Sequence, residues 1–185
     1  MRKSLVLSLT GHDRIGIVEE VTKEILPFGG NVESSRMARL GGEFAMLMLI
    51  SAPEEQVETL IQRIQALQDN GYIVTICTTE PGDPNKFQEW STLQIEVFGA
   101  DHEGIIHTIT QRLAELKISV ETMDTGMSEA PLSGSPLFMM SATVMAPPEL
   151  SLSNLQDDLE KISDALNVDI DVSLWLDDDA EFEGE

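Results

Sequence analysis

The sequence is short of cysteine and of basic residues. Its 185 residues include one cysteine, Cys77, so neither an internal disulfide nor a metal site made of cysteines alone is possible. Cys77 lies in an apolar run, and we expect it to be buried in a core. Only 11 lysines and arginines stand against 33 acidic residues, which gives a net charge of −22. Such a chain repels nucleic-acid phosphates and anionic lipid headgroups, so direct binding to DNA, RNA or a membrane surface is not expected.

Long apolar runs and catalytic motifs are also missing. No apolar stretch is long enough to cross a membrane, and the N-terminal run is too short for a secretion signal, so we expect a soluble cytoplasmic protein. The histidines, His12, His102 and His107, lack the spacing of a helical zinc site, and we expect no metal and no cofactor. His12 and His102 are expected simply to lie in solvent. No complete nucleophile or phosphate-binding motif occurs, so the chain is predicted not to be an enzyme.

What the sequence does contain is a repeat. The segment from Gly11 to Val18, GHDRIGIV, returns 88 positions later as GADHEGII. The apolar residues that follow recur with the same spacing. After a longer second loop the offset becomes 94, which aligns Phe44 with Phe138. A duplicated unit of this length predicts two similar domains.

In each half of the chain, the spacing of apolar residues switches between the two-residue period of strands and the helical period of about 3.6 residues. Apolar residues at every second position predict strands at 4–10 and 92–99, and one-sided apolar stripes predict the helices that follow them. Gly11 is expected to end the first strand in a turn, and Gly41-Gly42 to join two antiparallel strands. The order β-α-β-β-α-β results in both halves. The predicted fold class is α+β, with two ferredoxin-like βαββαβ domains, each a four-stranded antiparallel sheet with two helices on one face.

Composition predicts the domain boundaries. We expect a first domain at 1–80, a linker rich in proline and glycine at 81–89, a second domain at 90–176 and a disordered acidic tail at 177–185. The second hairpin loop, 129–136, is longer than the first and should be exposed. RNA-recognition modules share the order of elements, but the candidate third strands each carry one aromatic residue and the charge is unfavourable, so that alternative is set aside.

An Asp-x-x-Gly loop joins the first strand to the first helix in both halves. Free N–H groups at a helix start can receive a carboxylate, and Asp13 or Asp101 could accept hydrogen bonds from an ammonium group, a combination that suits an amino acid zwitterion. Gly16 and Gly104 would let a ligand or another backbone approach closely. The alternative, which is the commoner role of such residues, is that both aspartates only cap the helices.

Asn31 and Ser119 occupy matching positions at the start of the second strand of each half. We expect both on the side of the sheet where the Asp-x-x-Gly loop lies. Asn31 could exchange hydrogen bonds with a ligand held by that loop, or it could only stabilise the turn after Gly29-Gly30. The sequence leaves both roles open.

These motifs together resemble the ACT domain family, and within it the tandem proteins grouped with the glycine cleavage system transcriptional repressor. Residues 11–18, 29–37 and 42–48 carry the resemblance, which extends in weaker form over the second half. It implies a regulatory module without catalysis, in which amino acids bind at interfaces between ACT domains. The ligand positions that it implies are His12, Asp13, Arg14, Ile15, Gly16 and Asn31 in the first copy, and Asp101, His102, Gly104 and Ser119 in the second.

The second copy departs from the first where a ligand would bind. It has His102-Glu103 in place of Arg14-Ile15, and Ser119 in place of Asn31. We therefore expect one intact site around Asp13 and Asn31, and a second site that is altered or lost.

The resemblance also implies control of transcription through contact with a DNA-binding activator protein, which agrees with a chain too acidic to hold DNA itself. Our hypothesis is an amino-acid-responsive regulatory protein that acts by protein–protein contact. Glycine is the first ligand to test, and a homodimer is the expected assembly. The alternatives are a structural interaction module without a retained ligand and a regulatory subunit of a metabolic enzyme.

Overall fold

A computed structural model describes residues 1–80, 82–83, 86–129 and 135–175 of the chain. The chain divides into two compact units, unit 1 (Met1–Asp83) and unit 2 (Pro84–Glu185). The predicted acidic tail and most of the predicted loop at 129–136 lie outside the described residues. No helix in the described part is long and apolar enough to cross a membrane.

Unit 1 has the predicted order of elements. They are β1 (Arg2–His12), α1 (Ile17–Ile25), β2 (Asn31–Leu40), β3 (Glu43–Pro53), α2 (Val57–Gln65) and β4 (Ile73–Thr79). Short 3-10 turns lie after α1 and on both sides of α2. All strand pairs are antiparallel, and the order across the sheet is β2-β3-β1-β4. The predicted ferredoxin-like fold class is confirmed.

Unit 2 repeats this architecture. Its elements are β5 (Ser91–Ala100), α3 (Ile105–Glu115), β6 (Ser119–Glu129), β7 (Pro136–Ala146), α4 (Leu152–Leu166) and β8 (Val168–Leu174), with the sheet order β6-β7-β5-β8. The strand register matches the sequence repeat. Gly11 pairs with Phe44 in unit 1, and Gly99 pairs with Phe138 in unit 2.

Each sheet buries one face under its two helices. In β1, Leu5, Leu7 and Leu9 are fully buried, whereas Val6 and Ser8 between them are only half-buried. This is the two-residue period of a strand that is covered on one side. The helices of unit 1 contribute Ile17, Val21, Ile25, Leu60 and Ile64 to the same core. Among the described residues of unit 1, no helix packs on the opposite face of the sheet.

The prediction that Cys77 is buried is wrong. Cys77 is exposed. It alternates along β4 with the buried residues Val74 and Ile76, and therefore points to the face of the sheet without helices. The apolar run around it indicated a strand correctly but did not distinguish its two faces.

Gly11 does not end β1 in a turn, as predicted, because the strand continues through it to His12. The glycine instead permits a close approach. A Cβ at position 11 would lie 2.7 Å from Cδ1 of Tyr72, and a Cβ at Gly99 would lie 2.8 Å from the Cα of Val168. The repeated glycine therefore lets each first strand pack against the start of the last strand of its unit.

Gly41 and Gly42 form the predicted two-residue turn. Leu40 pairs with Glu43 across it, and the two glycines have φ of 59° and 87°. Positive φ at both central residues is typical of the hairpin turn that follows the twist of its strands. Glu43 also pairs with His12, so the hairpin tip lies beside the end of β1.

Candidate functional site

The loop between β1 and α1 holds most of the predicted ligand residues of unit 1. The N–H of Asp13 donates a hydrogen bond of 3.0 Å to the carbonyl oxygen of Gly42. His12 Nδ1 lies 2.6 Å from Glu43 Oε1. Ile15 is completely exposed. The loop is therefore accessible, and the neighbouring hairpin holds its base.

The alternative that Asp13 and Asp101 only cap helices is wrong. The residues before α1 and α3 are Gly16 and Gly104, and neither helix has a side-chain cap among the described residues. Both glycines have φ near 95°, in the region that favours glycine, and no atom lies within 4 Å of a Cβ placed on either. Backbone conformation, and not a close approach, explains these two glycines.

The carboxylate of Asp13 faces Arg39 instead. Arg39 Nη1 lies 3.3 Å from Asp13 Oδ2, and the side chains are 74% and 30% exposed. An ion pair this open to solvent contributes at most about 1 kcal/mol to stability. A ligand ammonium group could therefore replace Arg39 at the carboxylate with little loss.

A network of four side chains connects the loop to the rest of unit 1. Arg14 forms an ion pair with Glu20 of α1. The Tyr72 hydroxyl and the Asn70 amide each donate a 2.8 Å hydrogen bond to the same carboxylate. The Arg14 guanidinium also lies 5.5 Å from the centre of the Tyr72 ring. These contacts fix the loop against α1 and the residues that precede β4.

The network sets the protonation of its two acids. Burial alone would raise the pKa of Glu20, but the hydrogen bond from Tyr72 and the charge of Arg14 hold that pKa below its ordinary value of 4.5. Burial and the hydrogen bond to Glu20 raise the pKa of Tyr72 above its ordinary value of 10.0. Glu20 is therefore ionised and Tyr72 protonated at neutral pH.

We expect Glu20→Gln to flatten the acid side of the stability profile. Because folding lowers the pKa of Glu20, its contribution is complete above the unfolded value of 4.5 and is lost as the pH falls through the lower folded value. Urea unfolding from neutral pH down to about pH 3 should show a difference in unfolding free energy between wild type and variant that closes on acidification.

Glu19→Gln is the matched control for that experiment. Glu19 precedes Glu20 on α1 and is exposed, and its side chain makes no hydrogen bond or ion pair within the described ranges. The control should leave the acid-dependent loss of stability as it is in wild type. If the unfolding free energy of Glu20→Gln stayed below that of wild type by the same amount at every pH, the role given to the network would be contradicted.

The matching loop of unit 2 is held by His102. The N–H of Asp101 donates to the Pro136 carbonyl oxygen at 3.2 Å. His102 Nε2 lies 2.7 Å from the carbonyl oxygen of Leu166, and Nδ1 lies 3.0 Å from that of Glu103. Only the protonated ring can donate to both, and these hydrogen bonds raise the pKa of His102 above 6.5. His102 is exposed, as expected, but both of its ring nitrogens have carbonyl partners.

An open pocket of about 420 Å³ lies at this second loop. Asp101, His102 and Gly104 line it together with His107 of α3 and Phe138 of β7. Unit 2 therefore keeps a concave surface at the predicted position, although its residues differ from those of unit 1.

Asn31 and Ser119 lie at the opposite end of their sheets from these loops. Asn31 pairs with Ser51, whereas the loop begins after His12, which pairs with Glu43. Ser51 and Glu43 are separated by eight residues of extended strand, about 26 Å. The prediction that Asn31 lies on the loop's side is wrong, because β1 and β2 both run antiparallel to β3. The start of β2 therefore lies level with the start of β1.

Several residues that contact the loop or its network were not predicted from the sequence. Glu20 and Tyr72 are 52 positions apart, and Arg39 lies 26 positions beyond Asp13. The available signals were that Tyr72 is the sole tyrosine of the chain and that Arg39 lies close to the predicted Gly-Gly turn. Within the described ranges, no cluster of three or more His, Cys, Asp or Glu side chains could hold a metal ion.

The sequence of this chain is similar to those of known proteins. Residues 3–75 match the family model of the ACT domain. The glycine cleavage system transcriptional repressor of Escherichia coli (strain K12) is 26% identical over 167 residues, which cover 88% of this chain and 85% of the repressor.

Two solved structures are similar to this chain over nearly its full length. A protein from Galdieria sulphuraria is 30% identical with a TM-score of 0.81, over 95% of this chain and 100% of that one. A second crystal structure, provisionally described as a glycine cleavage system transcriptional repressor, is 26% identical with a TM-score of 0.66, over 95% of this chain and 98% of that one.

Proposed function

Because this chain belongs to the ACT domain family, we propose that it senses an amino acid and passes the signal to a DNA-binding transcriptional activator by protein contact, without catalysis. The relatives described as repressors support a regulatory role in transcription. The net charge of −22 supports contact with a protein over contact with DNA. We place this activity in the cytoplasm.

The observation that carries the proposal is the position of the Asp13 carboxylate. It lies on an accessible loop before a helix whose first turn has no side-chain cap among the described residues. The carboxylate can accept hydrogen bonds from a ligand ammonium group, and the free N–H groups of α1 can donate to a ligand carboxylate. A zwitterion with a small side chain satisfies both groups, and glycine is the smallest.

The distance between Asp13 and Asn31 limits where one ligand could contact both residues. The two residues lie at opposite ends of unit 1. A ligand that touched both would have to lie between two ACT units from different copies of the chain. We therefore propose a homodimer as the assembly that responds to the amino acid.

Calorimetric titration of the full chain with the proteinogenic amino acids tests this proposal. We expect saturable heat and a rise in the melting temperature with glycine or another small amino acid, since a ligand that binds only the folded state stabilises it. Ethylamine and acetate are the matched controls, because each lacks one of the two charges. Absence of both heat and thermal shift with every amino acid would refute the sensor function.

A further inference from the structure

The sheet of unit 1 has an open face that is free of acidic residues over its central part. Because Leu5, Leu7 and Leu9 point toward the helices, positions 6, 8 and 10 of β1 point away from them. Their partners on the other three strands complete three rows of four residues. We call these twelve positions the open face of unit 1.

The open face of unit 1 is mainly apolar and small. It includes Val6, Leu49 and Cys77 in one row, and Leu47 and Ile73, which are 50% and 73% exposed, in the others. Arg36, opposite Leu47, is its one charged residue. In a chain with 33 acidic residues, twelve neighbouring exposed or half-buried positions without a carboxylate form an unusual surface.

The matching face of unit 2 has the opposite character. Its central row contains three acidic residues, Glu96, Asp124 and Asp171. Ser141 pairs with both Asp124 and Glu96, and Glu96 pairs with Asp171 on the other side. Ser141 donates a 2.8 Å hydrogen bond to Glu96, and Gln94 donates one of 2.7 Å to Ser141. Hydrogen bonds within this face therefore satisfy part of its polar surface, and its acidic row would repel a second copy of itself.

We propose that two copies of the chain associate through the open face of unit 1. Chains of charge −22 repel wherever acidic surfaces meet, and this face allows contact without any carboxylate pair. In a symmetric contact the same patch serves both copies, so Leu47 of each copy is covered by the apolar face of the other. Twelve residues per copy are fewer than the roughly 20 to 30 of a stable interface, so the dimer should dissociate on dilution.

This inference rests on the homodimer proposed above and assigns its surface. Asn31 belongs to the same side of the sheet, since it pairs with Ser51, which pairs with Ser4. In a dimer whose two-fold axis crosses the strands, the strands of the two copies run in opposite directions. The Asn31 end of one copy then lies over the hairpin end of the other, whereas the Asp13 carboxylate, which faces Arg39 on the helix side of the sheet, lies outside this contact.

Leu47→Lys tests the surface directly, because it places two like charges in the contact. Sedimentation equilibrium from low to high micromolar concentration should show wild type passing from monomer to dimer. The variant should associate roughly hundredfold more weakly. Ser141→Lys, at the matching position in unit 2, is the control and should dimerise as wild type does. Circular dichroism establishes that both variants fold.

Cys77 gives a second measurement, because it is the sole thiol and lies on the open face. Its rate of reaction with a maleimide should fall as wild-type concentration rises, and should be independent of concentration in Leu47→Lys. A wild-type chain that stays monomeric would overturn the inference and the homodimer, whereas amino acid binding is judged by its own titration. A dimer that Leu47→Lys leaves intact would overturn the surface alone.

Discussion

Replacing Gly99 by alanine should lower the unfolding free energy of unit 2 by about 2 kcal/mol, the usual size of an overpacking effect. The new Cβ would lie 2.8 Å from the Cα of Val168 and 2.7 Å from its Cγ1. Backbone cannot move aside as a flexible side chain can, so the pairing of β5 with β8 must adjust. The measurement is urea unfolding followed by circular dichroism.

Gly126→Ala is the matched control, because the nearest atom to its Cβ is the Met139 methyl carbon at 4.0 Å. That variant should stay within about 0.5 kcal/mol of wild type, as substitutions without a steric consequence do. Gly11→Ala should fall between the two, since its Cβ meets the ring of Tyr72 at 2.7 Å and the ring can turn. Equal stabilities for the Gly99 and Gly126 variants would contradict the packing role of the repeated glycine.

The fold could be predicted because its signals are local and are repeated. Alternation in β1, the apolar stripe of α1 and the Gly41-Gly42 turn each specify one element from a few neighbouring residues. The second copy repeats these signals independently. Two matching series of elements leave little freedom in the choice of fold.

The site was predicted less well because its contacts join distant parts of the chain. Spacing suggested that Asp13 caps a helix, but its carboxylate faces Arg39 from the hairpin. The sequence predicts Asn31 at the wrong end of the sheet, because its position depends on the directions of three strands. The bond from Tyr72 to Glu20 spans 52 positions. Periodicity carries no information on contacts of this kind.

The same limit applies to the faces of edge strands. Cys77 and Ile76 are neighbours in an apolar run, yet Ile76 is buried and Cys77 is exposed. Only the placement of the helices decides which of them enters the core. The apolar run in the sequence therefore predicts burial on both faces of the strand and does not indicate the open face of unit 1.

Replacing Asp13 by asparagine should weaken amino acid binding by roughly ten- to hundredfold, since a hydrogen bond to a charged group contributes about 1.5 to 3 kcal/mol. The amide keeps the size of the side chain and removes the charge that attracts a ligand ammonium group. Stability should change by less than about 1 kcal/mol, because the ion pair with Arg39 is exposed to solvent. Calorimetric titration measures the first effect, and urea unfolding the second.

Asp101→Asn is the matched control, at the equivalent position of the second loop. If the intact site lies in unit 1, Asp101→Asn should leave the tight binding event unchanged, while Asp13→Asn weakens it. The opposite result would move the site to the pocket beside His102. A loss of stability in Asp13→Asn with unchanged binding would favour a structural module, since Asp13 would then stabilise the loop through Arg39 and have no role toward a ligand.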